Sequence, residues 1–154
     1  MRYLIRYTKL EVKNKKFLFI SVKPEFANKI VSEEKTIELR KVKPKVSEGD
    51  YIVIYASSPV KSVIGYGKVK EVIITSPETM WKEYSSMLGI DKQRYNSYFQ
   101  GCDKAIGIRI SEISRINPIP LDNLRKIDPD FHPPQIYRYV SNINICRSIL
   151  EFLQ

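Results

Sequence analysis

Glu33 to Ser58 reads EEKTIELRKVKPKVSEGDYIVIYASS. In Lys35–Lys41 the residue types alternate. Ile37 and Leu39 fall on one face of an extended chain, and Thr36, Glu38 and Arg40 fall on the other. The apolar pair is fit for a core. The opposite face then carries a hydroxyl, a carboxylate and a guanidinium in one row, roughly 6.5–7 Å apart along the strand. Pro44 and Ser47-Glu48-Gly49-Asp50 predict a turn. Tyr51–Ala56 is apolar on both faces, the pattern of a central, buried strand. It runs out into Ser57-Ser58-Pro59, small polar residues at a strand end.

Upstream, Phe17–Lys23 (FLFISVK) is an apolar strand that meets Pro24 at once. Proline in first position and Glu25 in the first turn predict a short helix over Pro24–Ser32, with Phe26 and Ile30 sharing a face. Its amino end beside Lys23 is either an anion-binding corner or a plain junction with Lys23 in solvent. Before Phe17, Tyr3, Ile5 and Tyr7 recur at period two, which predicts an added strand or a tethered arm.

Downstream, Lys61–Thr75 is long enough for a bent or bulged strand, and Gly65 and Gly67 suit tight curvature. Ser76-Pro77-Glu78 starts a helix, Gly89 stops it, Asp91 caps a second helix and Gly101 ends that one. Tyr95, Tyr98 and Phe99 form a stripe that suits a core more often than base stacking. Lys104–Ile116 returns to strand, ended by Pro118 and Pro120. Leu121–Ile127 is a short helix. After Pro133-Pro134, Gln135, Tyr137 and Tyr139 alternate with Ile136, Arg138 and Val140 in a closing strand. Asn142–Gln154 is a helix with Ile145 and Ile149 on its apolar side. The class is α+β: a small mixed β-barrel of five to six strands, with a helix after the first core strand, a helical hairpin insertion and a C-terminal helix. Residues 1–16 are expected to be an extension, 17–140 the domain and 141–154 the last helix.

The 154 residues suffice for one domain with its own core, and 43% hydrophobic content is ordinary for a globular chain. No apolar run nears the ~20 residues of a membrane span, and the opening MRYLIRYTKL is too charged for a secretory signal. A soluble, cytoplasmic protein is expected. The net charge of +9 fits either a solvated lysine-rich surface or a polyanionic partner, nucleic acid first. Cys102, Cys146 and His132 are the whole cysteine and histidine complement and lie far apart, which argues against a structural zinc site. No metal or other cofactor is expected, and two free thiols are the default.

SVKPEFANKI, EKTIELRK, GDYIVIYASSPVKSVIG, SPETMWKEY and FHPPQIYRYV, in that order and spacing, resemble the ASCH domain, a relative of PUA and EVE domains. The resemblance runs over roughly Phe17–Val140. It implies a PUA-like barrel whose cleft takes RNA or a modified nucleotide. In that reading Lys35, Thr36, Glu38 and Arg40 line the cleft, with Lys23, Ser57 and Ser58 on neighbouring strand ends. Gln135 and Tyr137 sit on the closing strand. Arg40 and Lys23 would meet phosphate, Lys35 phosphate or base, and Glu38 a base amino group; Tyr137 would stack or hydrogen-bond. One branch of the family hydrolyses N4-acylated cytidine with a lysine, a threonine three positions later and a glutamate on a later strand. Lys35 matches the first, but Glu38 stands where the threonine would be, and Glu71 or Glu112 would have to supply the last. Another branch is linked to metal-dependent RNA cleavage, for which Glu38 is the one cleft acid. Lys35 and Glu38 are thus the catalytic candidates if the chain is an enzyme. A protein-interaction role in transcription, as monomer or homodimer, is the third expectation.

Overall fold

The computed structural model describes residues 16–135, 137–140 and 143–151. Their strands form one six-stranded sheet in the order β2-β5-β4-β3-β1-β6. β1 (Phe17–Val22) and β3 (Tyr51–Ala56) pair in parallel, and their two-faced apolar sequences suit strands covered on both sides. One face, with Phe17, Phe19, Tyr51, Val53 and Tyr55, packs on Phe131, Ile145 and Ile149. The other, with Leu18, Ile20, Ile52 and Ile54, packs on Ala27, Ile30 and Val31 of α1 (Pro24–Val31). α1 opens on Pro24 and carries Glu25 in its first turn, as expected.

β4 (Ser62–Thr75) and β5 (Ala105–Pro120) are the long antiparallel pair that bends the sheet. Their register slips between Val63 and Gly65 and again between Tyr66 and Lys68, so bulges bracket both glycines. A Cβ at Gly65 would lie 2.8 Å from the Ser114 carbonyl, and one at Gly67 would lie 2.6 Å from Ile110. Close approach is why both positions are glycine. β5 continues through Pro118 to Pro120, which corrects the expected end at Ile116. Beyond Ile110 it bonds to β4 alone, so an exposed proline removes no donor that the sheet uses there.

β2 (Ile37–Arg40) is the edge strand on β5, buried along its whole length. Ile37 and Leu39 enter a third cluster with Met80, Leu88, Tyr95 and Phe99. Those residues come from the insertion: α2 (Pro77–Tyr84), a 3-10 turn (Ser85–Met87) and α3 (Lys92–Tyr98). Ser76 and Asp91 cap the two helices through side-chain oxygens. α4 (Leu121–Ile127) follows β5, and α5 (Ile143–Glu151) packs Ile145, Cys146 and Ile149 into the first core.

β6 spans only Tyr137–Tyr139, antiparallel to β1. Gln135, expected within that strand, lies before it in an exposed bend. Pro133 and Pro134 offer no N–H, so the ladder cannot begin until they have passed. The strand expected around Tyr3, Ile5 and Tyr7 lies outside the described residues. Among the described residues no helix is long and apolar enough to cross a membrane. Cys102 and Cys146 are both free thiols.

Candidate functional site

The curl of the sheet brings its β2 edge round to the end of β1. Arg40 shows the closure: its Nη2 donates to the Ser21 carbonyl of β1 at 3.3 Å, although three strands separate β1 from β2 in the sheet order. Between β2 and the end of β1 lies a cleft of about 210 Å³, room for about seven waters at liquid density. Ser21, Val22, Lys23 and Phe26 form one wall, Lys35, Glu38, Leu39 and Arg40 a second, and Ile90 and Tyr98 of the insertion a third.

Three charged side chains of this cleft are nearly removed from solvent: Lys35 is 3% exposed, Glu38 7% and Arg40 9%. Such burial is rare for these residue types unless they are paired. Arg40 Nη2 lies 3.5 Å from Glu38 Oε1. The other carboxylate oxygen, Glu38 Oε2, is buried and has no hydrogen-bond partner among the described residues. An acceptor left in that state costs about 1–3 kcal/mol. Lys35 Nζ donates to the Leu88 carbonyl at 2.6 Å and sits 5.6 Å from the centre of the Phe26 ring. Burial pushes its ammonium below the ordinary lysine range; the Glu38 carboxylate works the other way, and Arg40 and Lys29 add to the lowering.

The insertion holds Lys35 in place. Thr36 N–H donates to the Met87 carbonyl at 3.0 Å, and Lys29 Nζ donates to that of Gly89 at 3.0 Å. Gly89 has φ +61°, and a Cβ there would come within 2.7 Å of the Lys35 side chain. Glycine is needed on both counts. Arg94 on α3 makes a bidentate pair with Glu25 on α1, both bonds 2.9 Å, and lies 5.2 Å from the Phe26 ring.

Of the residues singled out from sequence, Lys23, Lys35, Glu38 and Arg40 line the cleft. Thr36 does not: it is half-buried just before β2, and its carbonyl accepts from Ile110 N–H. Ser57 and Ser58 stand at the shared carboxyl end of β1 and β3, beside the lining but outside it. Ser57 N–H donates to the Val22 carbonyl at 2.9 Å. Gln135 is also outside the lining, and Tyr137 opens β6 opposite Ile20. Glu71 pairs with Arg109 at 3.1 Å and Glu112 with Lys68 at 3.3 Å, both well exposed and outside the cleft. The lysine–threonine–glutamate set of the amide-cleaving branch is therefore not assembled among the described residues.

Sequence reasoning passed over Phe26, Ile90 and Tyr98 as cleft residues. Tyr98 had a signal, because it belongs to the aromatic stripe. The stripe divides: Tyr95 and Phe99 are core, whereas Tyr98 is 36% exposed at the cleft with its hydroxyl 3.4 Å from the Leu39 carbonyl. Partial burial raises the pKa of that hydroxyl; Arg40 opposes the shift and Glu38 adds to it. A second, larger hollow of about 580 Å³ lies between α2 and α3. Its floor is the packed rings of Trp81, Tyr95 and Phe99. It holds none of the buried charges.

Residues 20–116 match the family model of the ASCH domain. An ASCH domain-containing ribonuclease from Zymomonas mobilis subsp. mobilis is 38% identical over 125 residues, covering 81% of this chain and 84% of the relative. A crystal structure of ASCH from Zymomonas mobilis superposes with a TM-score of 0.82 at 35% identity, covering 87% of this chain and 95% of that one. A single-residue variant of the Zymomonas protein gives 0.83 at 34%, covering 89% and 98%. The chain belongs to the ASCH domain family.

Proposed function

We propose that this chain acts on RNA and that the cleft seats one of its nucleotides. The observation that carries the reading is Glu38 Oε2, a buried acceptor without a partner among the described residues, set beside two buried cations. A ligand that donates there recovers the cost of the unsatisfied oxygen. A base amino group is such a donor, and carboxylates accept from them. Arg40 and Lys23 suit a phosphate, and Lys35 keeps ammonium donors beyond the one given to Leu88 for phosphate or base. RNA as the partner class is further supported by the relative named a ribonuclease.

The test is binding of a fluorescein-labelled single-stranded RNA, followed by anisotropy across a salt series. Affinity should fall steeply with salt, since cation–phosphate contacts release counterions. Arg40→Lys should weaken it, because a point charge cannot replace the planar fork. Wild-type protein that leaves RNA unbound even at low salt would remove the proposal.

A second reading, cleavage at the seated nucleotide, is favoured by the lowered proton affinity of Lys35. A neutral amine fraction can take the proton of the ribose 2′-hydroxyl as its oxygen attacks the adjacent phosphorus; the bond from phosphorus to the 5′-oxygen of the next nucleotide breaks, and that oxygen takes a proton from water to leave as a 5′-hydroxyl. Arg40 is then placed for the charge that develops on the phosphoryl oxygens. Fragments ending in 2′,3′-cyclic phosphate, lost in Lys35→Met, would bear this out. Amide hydrolysis of an acylated cytidine is weaker, because the residue three after Lys35 is an acid and Glu71 and Glu112 are engaged elsewhere.

A further inference from the structure

The cations of the described residues fall into two groups. Lys29, Arg40, Lys68, Arg94 and Arg109 each have a carboxylate within 4 Å. Lys41, Lys43 and Lys45 are among the many that have none among the described residues; all three are exposed, and what sets them apart is their place in the chain. They are consecutive alternate residues of one loop that leaves the cleft directly from Arg40, and from Leu39 to Ser47 the chain carries no acid. Lys41 fixes where the loop starts: its Nζ lies 4.8 Å from the centre of the Tyr98 ring, which itself lines the cleft. Between the lysines Val42 is 69% exposed, far more than a half-buried strand end would leave it. Exposed cations with an apolar residue among them, contiguous with a cleft lined by buried charge, match a single strand that offers phosphates and flat, partly apolar faces.

We propose that Lys41, Val42, Lys43 and Lys45 form the track along which single-stranded RNA continues from the nucleotide seated in the cleft. The inference rests on the nucleotide reading above and adds to it the partner's length: the cleft takes one unit, and the loop takes the neighbouring phosphates. Recognition on the track is by charge, so it tolerates sequence.

The experiment compares wild type with Lys41→Gln/Lys43→Gln/Lys45→Gln and with a control of equal charge loss, Lys70→Gln/Lys82→Gln/Lys126→Gln, whose lysines are exposed elsewhere. Ligands are an eight-nucleotide RNA of mixed sequence and, separately, the four nucleoside 5′-monophosphates. Three lost phosphate contacts should flatten the salt slope for the octamer by about 2, a loss on the order of 100-fold at 0.1 M salt. The loop variant should bind the monophosphate as wild type does, and the control should keep the octamer slope. Equal losses in the loop and control variants, or an unchanged slope in the loop variant, would overturn the track. Monophosphates that bind nowhere, with the octamer slope still dependent on the loop, would instead overturn the seat and leave the track standing. No salt-dependent octamer binding by wild type would overturn both.

Discussion

Changing Glu38 to Gln keeps the shape of the cleft and removes its one buried negative charge. Arg40 then lies 3.5 Å from a neutral amide, with the two side chains only 11% and 9% exposed. At an effective dielectric of about 20, a charge pair at that separation is worth about 5 kcal/mol before desolvation is counted. Breaking one side of a buried pair leaves the partner uncompensated and costs about 3–5 kcal/mol net. For a chain of this size that is a fall in Tm of about 6–20 °C. Lys35 responds as well. Its folded pKa already lies below the unfolded value, and the Glu38 carboxylate is what holds it up. The unfolded chain therefore binds more protons between the folded and unfolded pKa values, so stability rises with pH across that window and is flat below it. Glu38→Gln widens the window from its lower end. Thermal melts by circular dichroism, repeated from pH 6 to 10, read both effects. Removing both charges in Glu38→Leu/Arg40→Leu should recover much of the loss, since an apolar pair can replace a buried ion pair. A Tm for Glu38→Gln equal to or above wild type would refute the reasoning, because the carboxylate would then not be holding the buried cations.

Four further outcomes follow from the same geometry. Lys35→Met should abolish the rise of stability with pH that the lowered lysine produces, visible in the same melts. Gly89→Ala should lose about 1–2 kcal/mol from the left-handed backbone alone. It should also weaken RNA binding by displacing Lys35, whereas Gly101→Ala, at φ +76° with open space around it, should share the first effect and not the second. Phe19→Ala, fully buried against Phe131, should cost about 3–5 kcal/mol in urea unfolding. A thiol reagent at pH 8 should modify Cys102 and spare Cys146 until the chain unfolds, since burial pushes the Cys146 thiol up to about 12.

The sheet was legible where burial leaves a periodic trace. Tyr51–Ala56, apolar on both faces, is the central strand, and the alternation in Lys35–Arg40 puts Ile37 and Leu39 into a core. The helix starts at Pro24, Ser76 and Asp91 are local chemistry and were read from local chemistry. What escaped depends on contacts between distant segments. Pro118 reads as a terminator until it is known that β5 pairs on one side only at that level. Gln135 alternates with Tyr137, but the prolines before it keep the ladder from reaching it. In the site, the row of Glu38 and Arg40 was visible, and so was Lys35. That the row is buried was not: the burial comes from the insertion, which folds its Leu88–Ile90 turn against Lys35. Tyr98 could not be told from Tyr95 and Phe99 by spacing, because the division among them is made by the sheet edge they rest on.

The most direct measurement is a crystal structure of the protein with a short single-stranded RNA. A nucleotide in the cleft between β1 and β2, with a base amino nitrogen about 2.7–3.2 Å from Glu38 Oε2, is the predicted result. RNA bound elsewhere on the surface, with only water against that oxygen, would contradict the account.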